Sequence, residues 1–210
     1  HDIRHIHVPT DMTAHLLRAN GYTAKLHVIS NGYSPRFTTG MPESGAERGG
    51  KPFRIIASGR LTHEKDHITL IKAIERSRHA DDIELVIAGT GPLRHYLKVQ
   101  AGRRLQRPAH IGFHRNADMP DLLVHCSIAD IESISVIEAM ACGLVPVIAV
   151  SNLSAASHFA LLDQSRFPVR DATALAARID WWIEHPRERA EWSARYARHT
   201  AQCYSVCSSV

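Results

Sequence analysis

"DIESISVIEAMACGLVPVIA", residues 130–149, encodes a helix, a stop and a strand in close succession. Apolar residues recur at helical spacing through "SVIEAMACG", and Gly143 can adopt the left-handed conformation that ends such a helix. "VPVIAV" then runs apolar at every position, the pattern of a strand covered on both faces. Two carboxylates, Asp130 and Glu138, bracket the entry to this helix. Each acid either ties down the helix start or holds a polar ligand against it.

The same alternation extends in both directions. Strands are expected at "IHVP", "LHVIS", "FRIIASG", "IELVIAG", "HIGF" and "SIAD". "DHITLIKAIERSR" repeats Ile68, Leu70, Ile71 and Ile74 on one helical face, and "PLRHYLKVQAGRR" places Pro92 at a first helical position. "MPDLLVHC" reads as a short helix, and "DATALAARIDWWIEHP" and "RERAEWSARYARHTAQCYSVC" as two helices parted by Pro186. Strand and helix in strict exchange imply an α/β, Rossmann-like parallel sheet with helices on both faces. Residues 38–52 are rich in Gly, Pro, Ser and charge and read as a linker. Residues 1–37 are too few for a domain, so they are either the tail of a preceding one or elements at the edge of this one. The core domain spans 53–186, with a trailing helix over 187–210, and the absence of an initiator methionine marks the chain as a piece of something longer.

Composition narrows the class. The 210 residues are 44% hydrophobic and 22% charged, ordinary for a globular protein with one substantial core. A net charge of +4 suits an anionic ligand. The apolar run from Val136 to Val150 is broken by Glu138, Gly143 and Pro146 and is too short to span a bilayer. Cys126, Cys142, Cys203 and Cys207 lack paired C-x-x-C spacing; Cys126 and Cys142 read as reduced, buried thiols of a cytoplasmic protein, and Cys203 with Cys207 on one helical face is too few ligands for a metal site.

Three further stretches carry chemistry. "SGRLTHEKDH", residues 58–67, puts Gly59, Arg60 and Lys65 at the carboxyl end of a strand, where open α/β sheets bind ligands. A diphosphate there gains charge-assisted contacts of about 1.5–3 kcal/mol each, and the alternative is a solvated basic loop. Its "HEKDH" matches a zinc-protease pattern, but Asp66 is the better helix cap, so His63 and His67 should diverge. Gly89-Thr90-Gly91 follows a strand and either cradles an anion at the next helix or simply makes a tight turn. Arg94 takes the place of the third glycine of a dinucleotide fingerprint, which argues against NAD. In the opening stretch, Ser135-Val136-Ile137-Glu138 is also a capping box, so Glu138 is either a cap or a partner for sugar hydroxyls.

Taken together, Gly59-Arg60-Leu61 with Lys65, Gly89-Thr90-Gly91-Pro92, and Asp130 with Glu138-Ala139-Met140-Ala141-Cys142-Gly143 resemble glycosyltransferase family 4, the retaining nucleotide-sugar transferases of GT-B fold. "VISNGYSPRF" is similar to that family's crossing segment between its two halves. The resemblance implies the donor-binding C-terminal half, with residues 1–37 a remnant of the preceding domain and the crossing segment. It implies that Arg60 and Lys65 bind the donor diphosphate, that Asp130 accepts from the transferred sugar and Glu138 from the ribose. Phe113 and His114 would lie near the nucleobase, and backbone N–H groups of Ser133, Ile134, Ser135 and Val136 would reach sugar and phosphates. Asp130 stands where the family usually has Glu, one methylene longer, and Glu132 is expected to compensate.

The activity so implied is transfer of a hexose from a UDP- or GDP-sugar with retention, by electrostatic catalysis without an obligatory metal or other cofactor. The acceptor, a glycolipid, lipid or glycan, would be bound by an N-terminal domain that this chain lacks, so the chain alone should bind donor but transfer little. The full protein would sit in the cytoplasm, at the inner face of the plasma membrane. Competing readings are a non-catalytic nucleotide-sugar-binding module, or an epimerase or phosphorylase of the same fold. Nucleic acid is not an expected partner, because "GRRLQR", residues 102–107, lacks interleaved aromatics.

Overall fold

A computed structural model describes residues 3–38, 50–113 and 120–205. The chain opens with β1 (His5–Val8), α1 (Asp11–Ala19) and β2 (Lys25–Val28), a β–α–β unit whose strands pair in parallel, His5 opposite Lys25 and Val8 opposite Val28. It then runs through β3 (Phe53–Ser58), α2 (His67–Arg76), β4 (Ile83–Ala88), α3 (Arg94–Arg104) and β5 (His110–Gly112). There follow β6 (Leu122–His125), a short β7 (Ala129–Asp130), α4 (Ile134–Ala141), β8 (Val145–Val150) and a short β9 (Leu153–Ser154). β10 (Arg166–Pro168), α5 (Ala172–Glu184) and α6 (Pro186–Tyr204) complete it.

The main sheet has six strands in the order β10-β8-β6-β3-β4-β5, all parallel. Ile55, Leu85, Ile87, Val147 and Ile148 are fully buried within it. α2 packs against α3 and α5, while α4 packs against α6. After β3 the chain builds outward through β4 and β5, then returns to β6 on the other side. The strand order therefore reverses between β3 and β6, and the crevice at their carboxyl ends is where such sheets take ligands.

Three expectations need correction. Residues 120–126, the described part of "MPDLLVHC", are not a helix: Leu122–His125 form β6, between β3 and β8. A short apolar run buried on both faces carries no periodicity that separates strand from helix, and the neighbouring strands decide it. "SIAD" contributes only β7, paired with β9 outside the main sheet. Pro92 precedes the helix cap at Leu93 and so is not the first helical residue.

The closing helix is part of the core rather than a trailing appendage. Tyr196 and Thr200 of α6 are fully buried, and Tyr196 Oη donates to Ser165 Oγ at 3.0 Å. The described part of residues 1–37 carries a separate two-stranded sheet that does not join the main one. Among the described residues no helix is long and apolar enough to cross a membrane.

Candidate functional site

The two β–α turns at the sheet's carboxyl edge are packed backbone to backbone. Leu61 N donates to Thr90 O at 2.8 Å, and Leu93 N donates back to Leu61 O at 3.0 Å. That approach requires the glycines. A Cβ on Gly89 would lie 1.9 Å from Gly59 O, and one on Gly91 would lie 2.6 Å from Leu61 O at a φ of +155°. Gly89 N–H is spent on Gly112 O at 3.0 Å. Of the two readings of Gly89-Thr90-Gly91, the tight turn is thus the one formed.

The turn after β3 carries the cations in different settings. Arg60 is 75% exposed and pairs with Glu64 at 3.2 Å. Lys65 closes a single 3-10 turn, His63–Lys65, and its ammonium meets Asp130 Oδ2 at 2.6 Å with both side chains about 15% exposed. His63 is exposed whereas His67 is buried against Arg60 O at 3.3 Å, so the two imidazoles diverge as expected. Burial, with a smaller push from His125 and Lys65, lowers His67 to about 4.

Asp130 is the meeting point of three donors. Burial alone would raise its carboxyl, but hydrogen bonds from His125, Lys65 and Ser133 outweigh that and hold it well below the usual carboxylate range. Immediately beyond it, Glu132 is 4% exposed and accepts from Ser30 Oγ at 2.5 Å, Asn31 N at 2.9 Å and Asn31 Nδ2. Ser30 and Asn31 take three of the roughly four acceptor positions of this carboxylate, so Glu132 chiefly ties the opening segment to this loop. Thr10 Oγ1 donates to Ile131 O at 3.1 Å, fastening the same loop to the head of α1.

Ser133 then adopts φ 60° and caps α4, which starts at Ile134. This decides the capping-box question. Ser135 lies inside the helix, two residues past the N-cap position at Ser133, so it cannot cap with Glu138 as its partner. Glu138 makes no hydrogen bond among the described residues, and burial raises its carboxyl against the opposing pull of Arg36. An acid half out of water with no protein donor is chemically open to a ligand. The N–H groups of Ile134 and Ser135, in the first turn of α4, likewise lack backbone acceptors.

A cleft of about 600 Å³ joins these parts. One wall is Lys65, Asp130, Glu132, Ser133, Ile134 and Ser135; the facing wall is His7, Val8, Pro9, Thr13 and Leu17 of the opening unit. Arg60, Glu138, Gly59, Gly89, Gly91 and Phe113 do not line it, Val136 is buried beneath it, and Phe113 is 78% exposed. His114 lies outside the described residues. The sequence reading missed the fixing residues His125, Ser30, Asn31 and Thr10. His125 lies inside a run that reads as helix, Thr10 carries no motif, and the "VISNGYSPRF" resemblance that covers Ser30 and Asn31 does not mark their contact across about a hundred residues of chain.

The comparisons with known proteins bear on this geometry. Residues 43–199 match the family model of the glycosyl transferases group 1. The catalytic domain of cholesterol-alpha-glucosyltransferase from Helicobacter pylori is 38% identical, with TM-score 0.68 over 72% of this chain and 99% of that one. Anabaena HepE, solved with UDP and glucose, is 20% identical, with TM-score 0.76 over 97% of this chain and 60% of that one. TarM is 18% identical, with TM-score 0.80 over 97% of this chain and 41% of that one. The last two share the fold, and this chain spans less than two thirds of their lengths. No curated protein matches the sequence.

Proposed function

Because this chain belongs to the glycosyl transferases group 1, we propose that it is the donor-binding half of a retaining, family 4 hexosyltransferase of GT-B architecture. The observation that carries the reading is the Lys65–Asp130 pair, 2.6 Å apart beside the open first turn of α4 at the reversal of strand order. A nucleotide diphosphate sugar presents complementary groups in sequence: base, ribose diol, diphosphate, hexose hydroxyls.

In this reading Lys65 turns from Asp130 to the diphosphate, and the exposed Arg60 closes on it from the rim. Their charge stabilises the leaving diphosphate as the glycosidic bond breaks, with no metal assigned. The N–H groups of Ile134 and Ser135 add donors at the positive end of the α4 dipole. Asp130 accepts from a hydroxyl of the hexose. Glu138, which has no hydrogen-bond donor among the described residues, accepts from the ribose diol, and Phe113 with His114 lies toward the base. The acceptor is held by a part of the full-length protein beyond this chain, a reading in keeping with the greater length of HepE and TarM.

Calorimetric titration with UDP, GDP and ADP tests the donor site. One nucleotide is expected to bind well ahead of the others, and Glu138→Ala to weaken it by about 2–3 kcal/mol. Absence of binding to all three would remove the reading, and equal affinity in both proteins would remove Glu138 from the ribose.

A further inference from the structure

His125, the last residue of β6, is 5% exposed and belongs to no motif. Its Nε2 lies 3.3 Å from Asp130 Oδ2 and 3.1 Å from Ser133 Oγ. One buried nitrogen therefore touches both ends of the entry loop: the acid facing the cleft and the left-handed residue that caps α4. We infer that His125 is a positioning residue, holding the Asp130 carboxylate in the orientation that receives the hexose. The inference rests on the donor-site reading above.

The geometry shows why such a residue is needed. Lys65 Nζ and His125 Nε2 both meet Oδ2, so without ligand the carboxylate is held from two sides. A diphosphate in the cleft competes for the Lys65 ammonium, the stronger of the two anchors. Once Lys65 swings to the phosphates, only His125 and Ser133 still hold Asp130, and Ser133 is itself bonded to His125 Nε2, so the task of fixing the carboxylate falls to the imidazole. An imidazole on a central strand, confined by packing, can do this at little further entropic cost, and a long flexible side chain cannot. The short aspartate side chain makes the matter acute, since a small rotation carries the carboxylate out of reach of the sugar. The link to Ser133 sets Asp130 in register with the open N–H groups of the first turn of α4.

The difference between nucleotide and nucleotide-sugar binding isolates the effect. UDP and UDP-glucose are titrated against wild type, His125→Leu, His125→Gln, Asp130→Asn and the double variant His125→Leu/Asp130→Asn. If the guanine nucleotide proves the tighter ligand, GDP and GDP-mannose replace them. His125→Leu is expected to lower the sugar-nucleotide to nucleotide affinity ratio about tenfold while leaving the nucleotide itself within about twofold. His125→Gln, which returns an N–H at similar reach, should recover most of the ratio. The double variant should lose no more than Asp130→Asn alone, because His125 acts through that carboxylate. An unchanged ratio in His125→Leu, losses that add in the double variant, or equal defects in Leu and Gln would overturn the role. If the wild-type chain bound no nucleotide at all, the donor-site reading would fall and carry this one with it, a distinct outcome.

Discussion

Glu132 and Glu138 stand six residues apart on one helix entry and have opposite fates. Glu132 is buried and accepts three hydrogen bonds, with Ser30 and Asn31 supplying donors to both oxygens. Glu138 is half-buried, has no hydrogen-bond donor among the described residues and is raised by burial. The family resemblance implies ribose contact for Glu138 and compensation for the short Asp130 by Glu132, while the spacing alone leaves Glu138 either a cap or a sugar partner. The structure separates them on one physical ground: an acid that the protein already supplies with several donors builds the site, and one supplied with none among the described residues is available to a ligand.

The largest break in that comparison should come from Glu132→Ala. It leaves the Ser30 hydroxyl and two Asn31 donors facing a cavity, at a cost of about 2–4 kcal/mol. Chemical denaturation should show that loss, and a fall below about 1 kcal/mol would mean that water replaces the carboxylate freely. Next is an acid-range effect from His67, a third titratable group behind the same cleft. Its folded value, about 4, lies below the unfolded 6.5, so the unfolded chain binds the proton first. Stability should therefore decline as pH falls from 6.5 through 4, by about 3 kcal/mol in total, and level off below. Unfolding curves of His67→Gln should lack that decline; a wild-type profile flat across the window would disprove the burial argument.

Glu138→Gln sharpens the contrast at the small end, with the opposite sign to Glu132→Ala. A carboxyl raised on folding gives stability at low pH that is lost as pH rises through the folded value, so neutralising it removes a penalty at neutral pH. The gain should be under about 1 kcal/mol because the group remains partly solvated. A clear destabilisation would show that Glu138 has a structural partner after all. Smallest of all is Arg60→Ala, whose exposed pair with Glu64 should change stability by less than about 0.5 kcal/mol.

How much of this was legible in advance depended on the kind of interaction. Strands β3, β4, β5 and β8 and helices α2, α4, α5 and α6 were readable because periodicity, caps and glycine stops are local. β6 reads as helix in the sequence because three apolar residues and a histidine, all buried, show neither period. The site was legible in part: Lys65 and Asp130 were both singled out, and they meet at 2.6 Å. Arg60 and Glu138 were expected in the same hollow, yet neither lines the cleft, because Arg60 points to solvent and Glu138 lies a full turn further along α4. The role of Glu132 could not be read, since Ser30 and Asn31 are about a hundred residues away and no spacing rule joins them.

From the residues in order came the alternating α/β plan, the glycine turns at the strand ends and the acids that bracket α4, all set by interactions within a few positions along the chain. Only tertiary structure decided which acid is satisfied, which histidine stands behind Asp130, and that Ser135 is no cap. Those outcomes depend on which donors reach a given oxygen in space, and that is determined when β3 and β6 come side by side and the opening unit closes over the loop between them.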